Sequence, residues 1–224
     1  YSNTNYLLAA MIVTRATGST LSAELRRRFW EPLGLASACL PPEEPYPGNP
    51  AHVWGDNFDN DGSYRDITLL PRRSHDTIGY GSSGVFMTAE DLARWTHALF
   101  HGRVVGPRSL AQMQAFGPEG GYGLGLHRLE WRVPSGLDAV GHGGGNIGTS
   151  AYMAYLPDHR LSVEEMNTFA CPWHHNLTAA IDSSTVRSSP SRTVKTLMNS
   201  EPPSTSAARV SARRPRRRNV FRSD

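Results

Sequence analysis

The chain has 224 residues, 38% of them hydrophobic, with five Trp, eight Tyr, seven Phe and a net charge of +3. That length can hold one domain with a real core and does not demand two, and the longest apolar run, Tyr6 to Val13, is far too short to cross a bilayer. The basic balance belongs to the end of the chain, where ten Lys and Arg face two acids from Ser183 to Asp224, so it does not describe a basic nucleic-acid-binding domain.

Asn5 to Thr17 reads as a helix capped by Asn3 or Thr4, with Gly18 suited to the left-handed position past its end. Thr20 opens a second helix. Leu21, Leu25 and Phe29 fall four apart on one face, and Pro32 is expected to stop it. Residues 41–73 are rich in Pro, Gly, Asn and Asp and read as a long loop excursion, which in a compact domain is often functional. Thr88-Ala89-Glu90-Asp91 has capping-box spacing, with Asp in place of Glu or Gln. Leu92, Trp95 and Leu99 continue it as a helical stripe. Pro107 suits the first position of a short helix carrying Leu110 and Met113. Tyr122 to Leu126 alternates with period two. Thr149 to Tyr155 and Leu161 to Thr168 have strand length, with Pro157-Asp158-His159 as the turn between them. Together these predict an antiparallel meander, followed by a last helix over Trp173 to Ile181. From Ser183 onward the composition is Ser, Thr, Pro and Arg with few aliphatics, which predicts disorder.

Two stretches carry chemistry. Tyr1-Ser2-Asn3 sets a phenol and a carboxamide two residues apart, on one side of an extended segment. A phenol acts as a base near neutral pH only where cations or donors favour the phenolate. A carboxamide can donate to a substrate carbonyl and accept from an ammonium at once. The same three residues also fit an ordinary helix start. Gly141-His142-Gly143-Gly144-Gly145-Asn146 is more specific. Three glycines at a strand end let a ligand carbonyl approach the backbone, where N–H groups can hold an oxyanion. The plainer alternative is a tight turn with a satisfied histidine.

Rival patterns fail on context. Gly143, Gly145 and Gly148 satisfy G-x-G-x-x-G, but a strand pattern follows where a dinucleotide site needs a helix. H-G-G-G resembles an esterase oxyanion loop, but no G-x-S-x-G nucleophile elbow occurs. Cys171, His174 and His175 have no further ligand cluster nearby, so no metal site is expected. Cys39 and Cys171 read as separate free thiols. The Arg213 to Arg218 run lacks interleaved aromatics and reads as a solvated tail, a weak candidate for nucleic acid. The first residue is not Met, so the N-terminus is read as a cut edge and the compartment stays undecided.

The order of these motifs resembles a family: Tyr1-Ser-Asn-Thr-Asn-Tyr-Leu-Leu, Glu31-Pro-Leu-Gly-Leu35, Gly81-Ser-Ser-Gly84 leading into Thr88-Ala-Glu-Asp-Leu-Ala93, Tyr122-Gly-Leu-Gly-Leu126, and Gly141-His-Gly-Gly-Gly145. It is similar to the serine β-lactamase-related superfamily, nearest the class C β-lactamase, D-alanyl-D-alanine carboxypeptidase and EstB-type esterase branch, over residues 1–182. The resemblance implies an α+β, α/β sandwich-like fold of the β-lactamase/transpeptidase-like type, with an antiparallel sheet flanked by helices plus a mostly helical lobe. Residues 1–120 would form the helical lobe and loops, residues 121–182 the sheet strands and C-terminal helix, and residues 183–224 a disordered basic tail.

By that resemblance Tyr1 is the Y-x-N tyrosine that acts as or assists the general base, and Asn3 is the substrate-contacting amide. His142-Gly143-Gly144 matches the H-x-G form of the third motif, closer to the esterase and peptidase members. The Gly145 N–H would be one oxyanion donor, and Tyr122 would line the cleft. The family's S-x-x-K nucleophile segment is absent, for Lys195 is the only lysine and Arg192 stands three places before it. The chain is therefore expected to be a fragment of a serine hydrolase, incomplete at its N-terminus and inactive as given, from an enzyme cleaving a small-molecule amide or ester through an acyl-enzyme without cofactor or metal. The alternative is a non-catalytic binding module. Glu164 and Glu165 fall where the family has an apolar strand, which conflicts with burial on both faces.

Overall fold

The computed structural model describes residues 1–56, 64–68, 79–117, 121–129, 136–146, 148–167 and 195–199. Helix α1 (Asn3–Thr17) begins after Ser2, which is extended but makes no side-chain cap. Asn3 and Thr4, the expected caps, are therefore inside the helix. Thr20 does cap α2 (Leu21–Leu25), its hydroxyl accepting from Ala23 N–H. Pro32 does not stop that helix. The chain widens into a π-helical turn over Arg26–Trp30, with Glu31 N–H reaching the Arg26 carbonyl, and then continues through α3 (Glu31–Leu33). Proline lacks the N–H for the Arg28 carbonyl and its ring crowds that group, so a widened turn accommodates it. Left-handed Gly34 ends the run.

The excursion contains a small antiparallel pair, β1 (Trp54–Asp56) with β2 (Tyr64–Asp66). Helix α4 (Ala89–Phe100) starts at Thr88, whose hydroxyl accepts from Asp91 N–H. The return arm of the expected capping box is rerouted. Thr88 N–H donates to the Ser37 hydroxyl, and Asp91 accepts from both Ser37 N–H and Ser37 O–H. Helix α5 (Pro107–Met113) takes Pro107 in its first turn.

The main sheet runs in the order β3-β4-β5-β6-β7, from β3 (His127–Arg128), β4 (Val140–Asn146), β5 (Thr149–Leu156), β6 (Leu161–Asn167) and β7 (Lys195–Asn199). Strands β3 to β6 are antiparallel, as the meander predicts, and β7 lies parallel to β6. Two expectations change here. Tyr122 to Leu126 is a turn closed by a Tyr122–His127 bridge and not a strand, and residues 195–199 form a strand inside the segment expected to be disordered. The expected helix over Trp173 to Ile181, Cys171 with His174 and His175, and the Arg213 to Arg218 run lie outside the described residues.

Three apolar clusters organise these elements. Ala10, Leu21, Trp30, Leu35, Ala38 and Leu40 form the core of the helical lobe, with Leu25 and Phe29 packed against it as their spacing predicts. Leu99, Leu126 and Val140 join α4 to one face of the sheet, with Leu110, Met113 and Met153 around them. Leu129, Ala139, Ala154, Leu156, Leu161 and Val163 form the other face. Helix α4 bridges two of these, since Trp95 packs into the first and Leu99 belongs to the second. Because the sheet side-chain period is two, this packing turns His142, opposite Met153, toward the helical side.

Candidate active site

Strand β4 and the start of α1 meet at a cluster of phenols and imidazoles. The Tyr1 ring lies 5.9 Å from the His142 ring, centroid to centroid. Tyr122 completes a nearly equilateral triangle with them, 5.6 Å from Tyr1 and 5.8 Å from His142. The chain ends of this cluster are 141 positions apart in sequence, so it exists only through the tertiary fold. Tyr122 reaches it because the turn before β3 folds back on itself, with Gly123 N–H donating to the Leu126 carbonyl.

Two segments hold the Tyr1 side in place. The Tyr1 and Tyr6 rings are 5.5 Å apart. Gly81 has φ +79°, and a Cβ there would come within 2.6 Å of both the Tyr6 carbonyl oxygen and the Ala10 Cβ. Only glycine allows this close approach of backbone to helix, and it brings Ser82, whose hydroxyl donates to the Gly79 carbonyl, beside the Tyr1 phenol.

The three glycines do different things. They stand within β4 and not at its end. A Cβ on Gly143 would lie 1.9 Å from Cε1 of Tyr152, so this glycine makes room for a ring from β5. A Cβ on Gly144 would meet nothing within 4 Å, and one on Gly145 would approach the Thr149 carbonyl at 3.4 Å. Gly144 and Gly145 are exposed. The open backbone of the motif is therefore at Gly144 and Gly145, with Gly143 committed to packing. Asn3 is the first residue of α1 and is exposed.

The electrostatics follow from burial. Burial raises the Tyr1 phenol above its ordinary value, the neighbouring Tyr6 adds to this, and the Ser82 hydroxyl opposes it. Tyr122 is raised further, first by burial and then by its hydrogen bond to Tyr6. His142 is lowered by burial and by His127, with a contact to the Gly143 backbone working the other way. His127 is lowered by burial. Both imidazoles are therefore biased to the neutral form, and neither phenol is tuned as a base by the groups present. The direction at Tyr1 is the reverse of what a general base needs, and a nearby cation is the ordinary remedy.

Three members of the cluster were not singled out by sequence. Tyr6 donates to or accepts from Tyr122 at 2.5 Å. Ser82 stands beside Tyr1, and His127 lies 4.3 Å from the Tyr122 ring and 5.3 Å from the His142 ring. Each stands within or next to a quoted motif, but the partner that gives it a role is far away in the chain. Among the described residues no group of three or more His, Cys, Asp or Glu is placed to hold a metal ion. None of their helices is long and apolar enough to cross a membrane.

The profile of a protein family described as Beta-lactamase matches residues 1–196. Among solved structures, a D-stereospecific amidohydrolase from Streptomyces sp. superposes with a TM-score of 0.61 at 27% identity, covering 72% of this chain and 48% of that one. A D-amino acid amidase from Ochrobactrum anthropi SV3, complexed with L-phenylalanine amide, gives a TM-score of 0.61 at 26% identity with the same coverage. An unguisins hydrolase of Aspergillus violaceofuscus is 27% identical over 105 residues, 45% of this chain and 18% of that protein. The chain thus spans about half the length of the solved relatives it matches.

Proposed function

The chain belongs to the Beta-lactamase family, a family of serine hydrolases by its structural relatives, and from that premise we propose that it forms one side of a serine-hydrolase site for small amide or ester substrates. The single observation that carries this reading is the meeting of Tyr1, Tyr122 and His142, whose ring centroids stand within 6 Å of one another. In the proposed reaction a serine oxygen bonds the substrate carbonyl carbon, the C–N or C–O bond breaks, and the leaving group takes the serine proton. Water then releases the acyl group. Tyr1 moves the proton, Asn3 orients the substrate, and His142 with the exposed backbone at Gly144 and Gly145 faces the carbonyl oxygen. Likeness to a D-stereospecific amidohydrolase and a D-amino acid amidase supports an amide over a lactam.

Serine and lysine in S-x-x-K spacing occur nowhere in these 224 residues. We therefore propose that this chain alone does not turn over substrate. The raised Tyr1 phenol agrees with that, since its activation needs a cation of the kind that lysine provides. Labelling with a fluorophosphonate or penicillin probe tests it. The 224-residue chain is expected to take no covalent label, and a longer form that includes S-x-x-K upstream of Tyr1 is expected to label. An adduct on the 224-residue chain would overturn the missing-nucleophile reading. The same absent serine favours a second reading, a binding module that keeps the cleft without the reaction. It predicts that the coding sequence upstream of Tyr1 contains no S-x-x-K.

A further inference from the structure

Tyr122 owes its place in the cluster to α5, a helix that holds none of the residues assigned to the site. The last four carbonyls of a helix lack partners within it. At the end of α5 the Met113 carbonyl accepts from Leu124 N–H at 3.0 Å, and just beyond it Gly117 N–H donates to the Tyr122 carbonyl at 3.4 Å. These two bonds use the main-chain groups on either side of Gly123. The end of α5 and the Tyr122 turn therefore lie backbone against backbone, and Tyr122 is held from behind by groups other than its ring.

This seat exists because residue 123 has no side chain. A Cβ on Gly123 would lie 2.0 Å from the Met113 carbonyl oxygen, 3.0 Å from its carbonyl carbon and 3.5 Å from Cδ1 of Phe116. The two nearest atoms are backbone and cannot swing aside as the end of a side chain can. Relieving the first contact to 3.0 Å takes a displacement of about 1 Å. By contrast, a Cβ on Gly106, which precedes the first turn of the same helix, would meet nothing within 4 Å.

The other side of the turn faces the cluster. The Tyr122 hydroxyl lies 2.5 Å from the Tyr6 hydroxyl and 3.4 Å from Nε2 of His142, and its ring lies 4.3 Å from that of His127. A hydrogen bond at 3.4 Å is already near its outer limit, so a shift of the turn by that amount alters what Tyr122 touches. We infer that Gly123 is a positioning residue of the site, which seats the Tyr122 turn on the end of α5 and thereby fixes the Tyr122 ring against Tyr6, His127 and His142.

The inference rests on the reading of Tyr122 as a site residue, but its test needs no turnover. Proton NMR of the 224-residue chain, with tyrosine and histidine rings isotopically labelled, reads the cross-peaks between rings. In the wild type Tyr122 is expected to show cross-peaks to His127 and His142. In Gly123→Ala these are expected to fall several-fold, while the cross-peaks between Tyr1 and Tyr6, 5.5 Å apart, keep their strength. Gly106→Ala is expected to keep the wild-type pattern. A folded Gly123→Ala variant with unchanged Tyr122 cross-peaks overturns the inference, and so does an equal loss in Gly106→Ala. If Gly123→Ala does not fold, amide hydrogen exchange in the wild type decides. Leu124 N–H is expected to exchange as slowly as Gln114 N–H, which closes α5 on the Leu110 carbonyl. Exchange at Leu124 about tenfold or more faster than at Gln114 overturns the inference. A longer form that fails to hydrolyse any amide or ester would remove the proposed function and leave the cross-peak and exchange results standing.

Discussion

Glu164 is a buried acid. It sits in β6 opposite Met153, fully buried, and neither carboxylate oxygen has a hydrogen-bond partner among the described residues. Burial pushes its pKa up to about 8 from an ordinary 4.5, and Thr96, whose hydroxyl donates to the Leu92 carbonyl, opposes this only in part. Between those two values the folded chain holds a proton that the unfolded chain has released. Stability is therefore expected to fall as pH rises from about 4.5 to about 8 and to level off above. The loss at the upper end is several kcal/mol, on the order of 1.4 kcal/mol per pH unit of difference. Urea unfolding at pH 5, 6.5 and 8 checks it. Glu164→Met should flatten the slope and raise the midpoint at pH 8, and an equal slope in the variant would clear this carboxylate.

At the scale of elements, the join between α4 and the segment after α3 depends on one side chain. Asp91 is buried, accepts two hydrogen bonds from Ser37 and pairs with Arg94 at 3.0 Å. That join orients a helix whose Trp95 and Leu99 serve two different clusters. Removing the carboxylate strands the Ser37 N–H, a cost of about 1–3 kcal/mol for a buried hydrogen-bonding group. Asp91→Ala is expected to lower the unfolding free energy by that amount in urea titration. Ser37→Ala should cost less, and the double variant should cost less than the sum of the two. Additive losses would mean that the two residues act apart. The rerouted cap explains why the helix start was legible at Thr88 while its anchor was not, for Ser37 lies 51 residues earlier.

At the scale of the whole molecule, one surface stands out. Leu8, Met11 and Ile12 follow a three-and-four spacing on α1 and are 52%, 54% and 68% exposed. Residues at that spacing form one continuous helical face, and contiguous exposed apolar area favours association. The chain is expected to self-associate with rising concentration in sedimentation velocity, and Met11→Lys with Ile12→Glu to shift it toward monomer. A monomeric wild type with a sharp, reversible melt would count against this. How much was legible varied with the range of the interaction. The α2 and α4 starts, the end of α1 at Gly18, the meander and the core stripe of Leu21, Leu25 and Phe29 were readable because capping and periodicity act within a few residues. Pro32 misled because a π-helical turn absorbs it, and Tyr122 to Leu126 misled because the alternation there serves a tight turn.

By itself the sequence determined the family, the α2 and α4 starts, the antiparallel pairing and the absence of an S-x-x-K pair, all of which are written in local pattern and motif order. Only the tertiary structure decided that Tyr6, Ser82 and His127 join Tyr1, Tyr122 and His142, that Gly143 is spent on the Tyr152 ring while Gly144 stays open, and that Glu164 is buried with no hydrogen-bond partner among the described residues. The reason is physical. A hydrogen bond between Tyr6 and Tyr122 or a ring over Gly143 is a contact between distant segments, and its geometry is set by how the sheet and helices pack rather than by the neighbours of either residue along the chain.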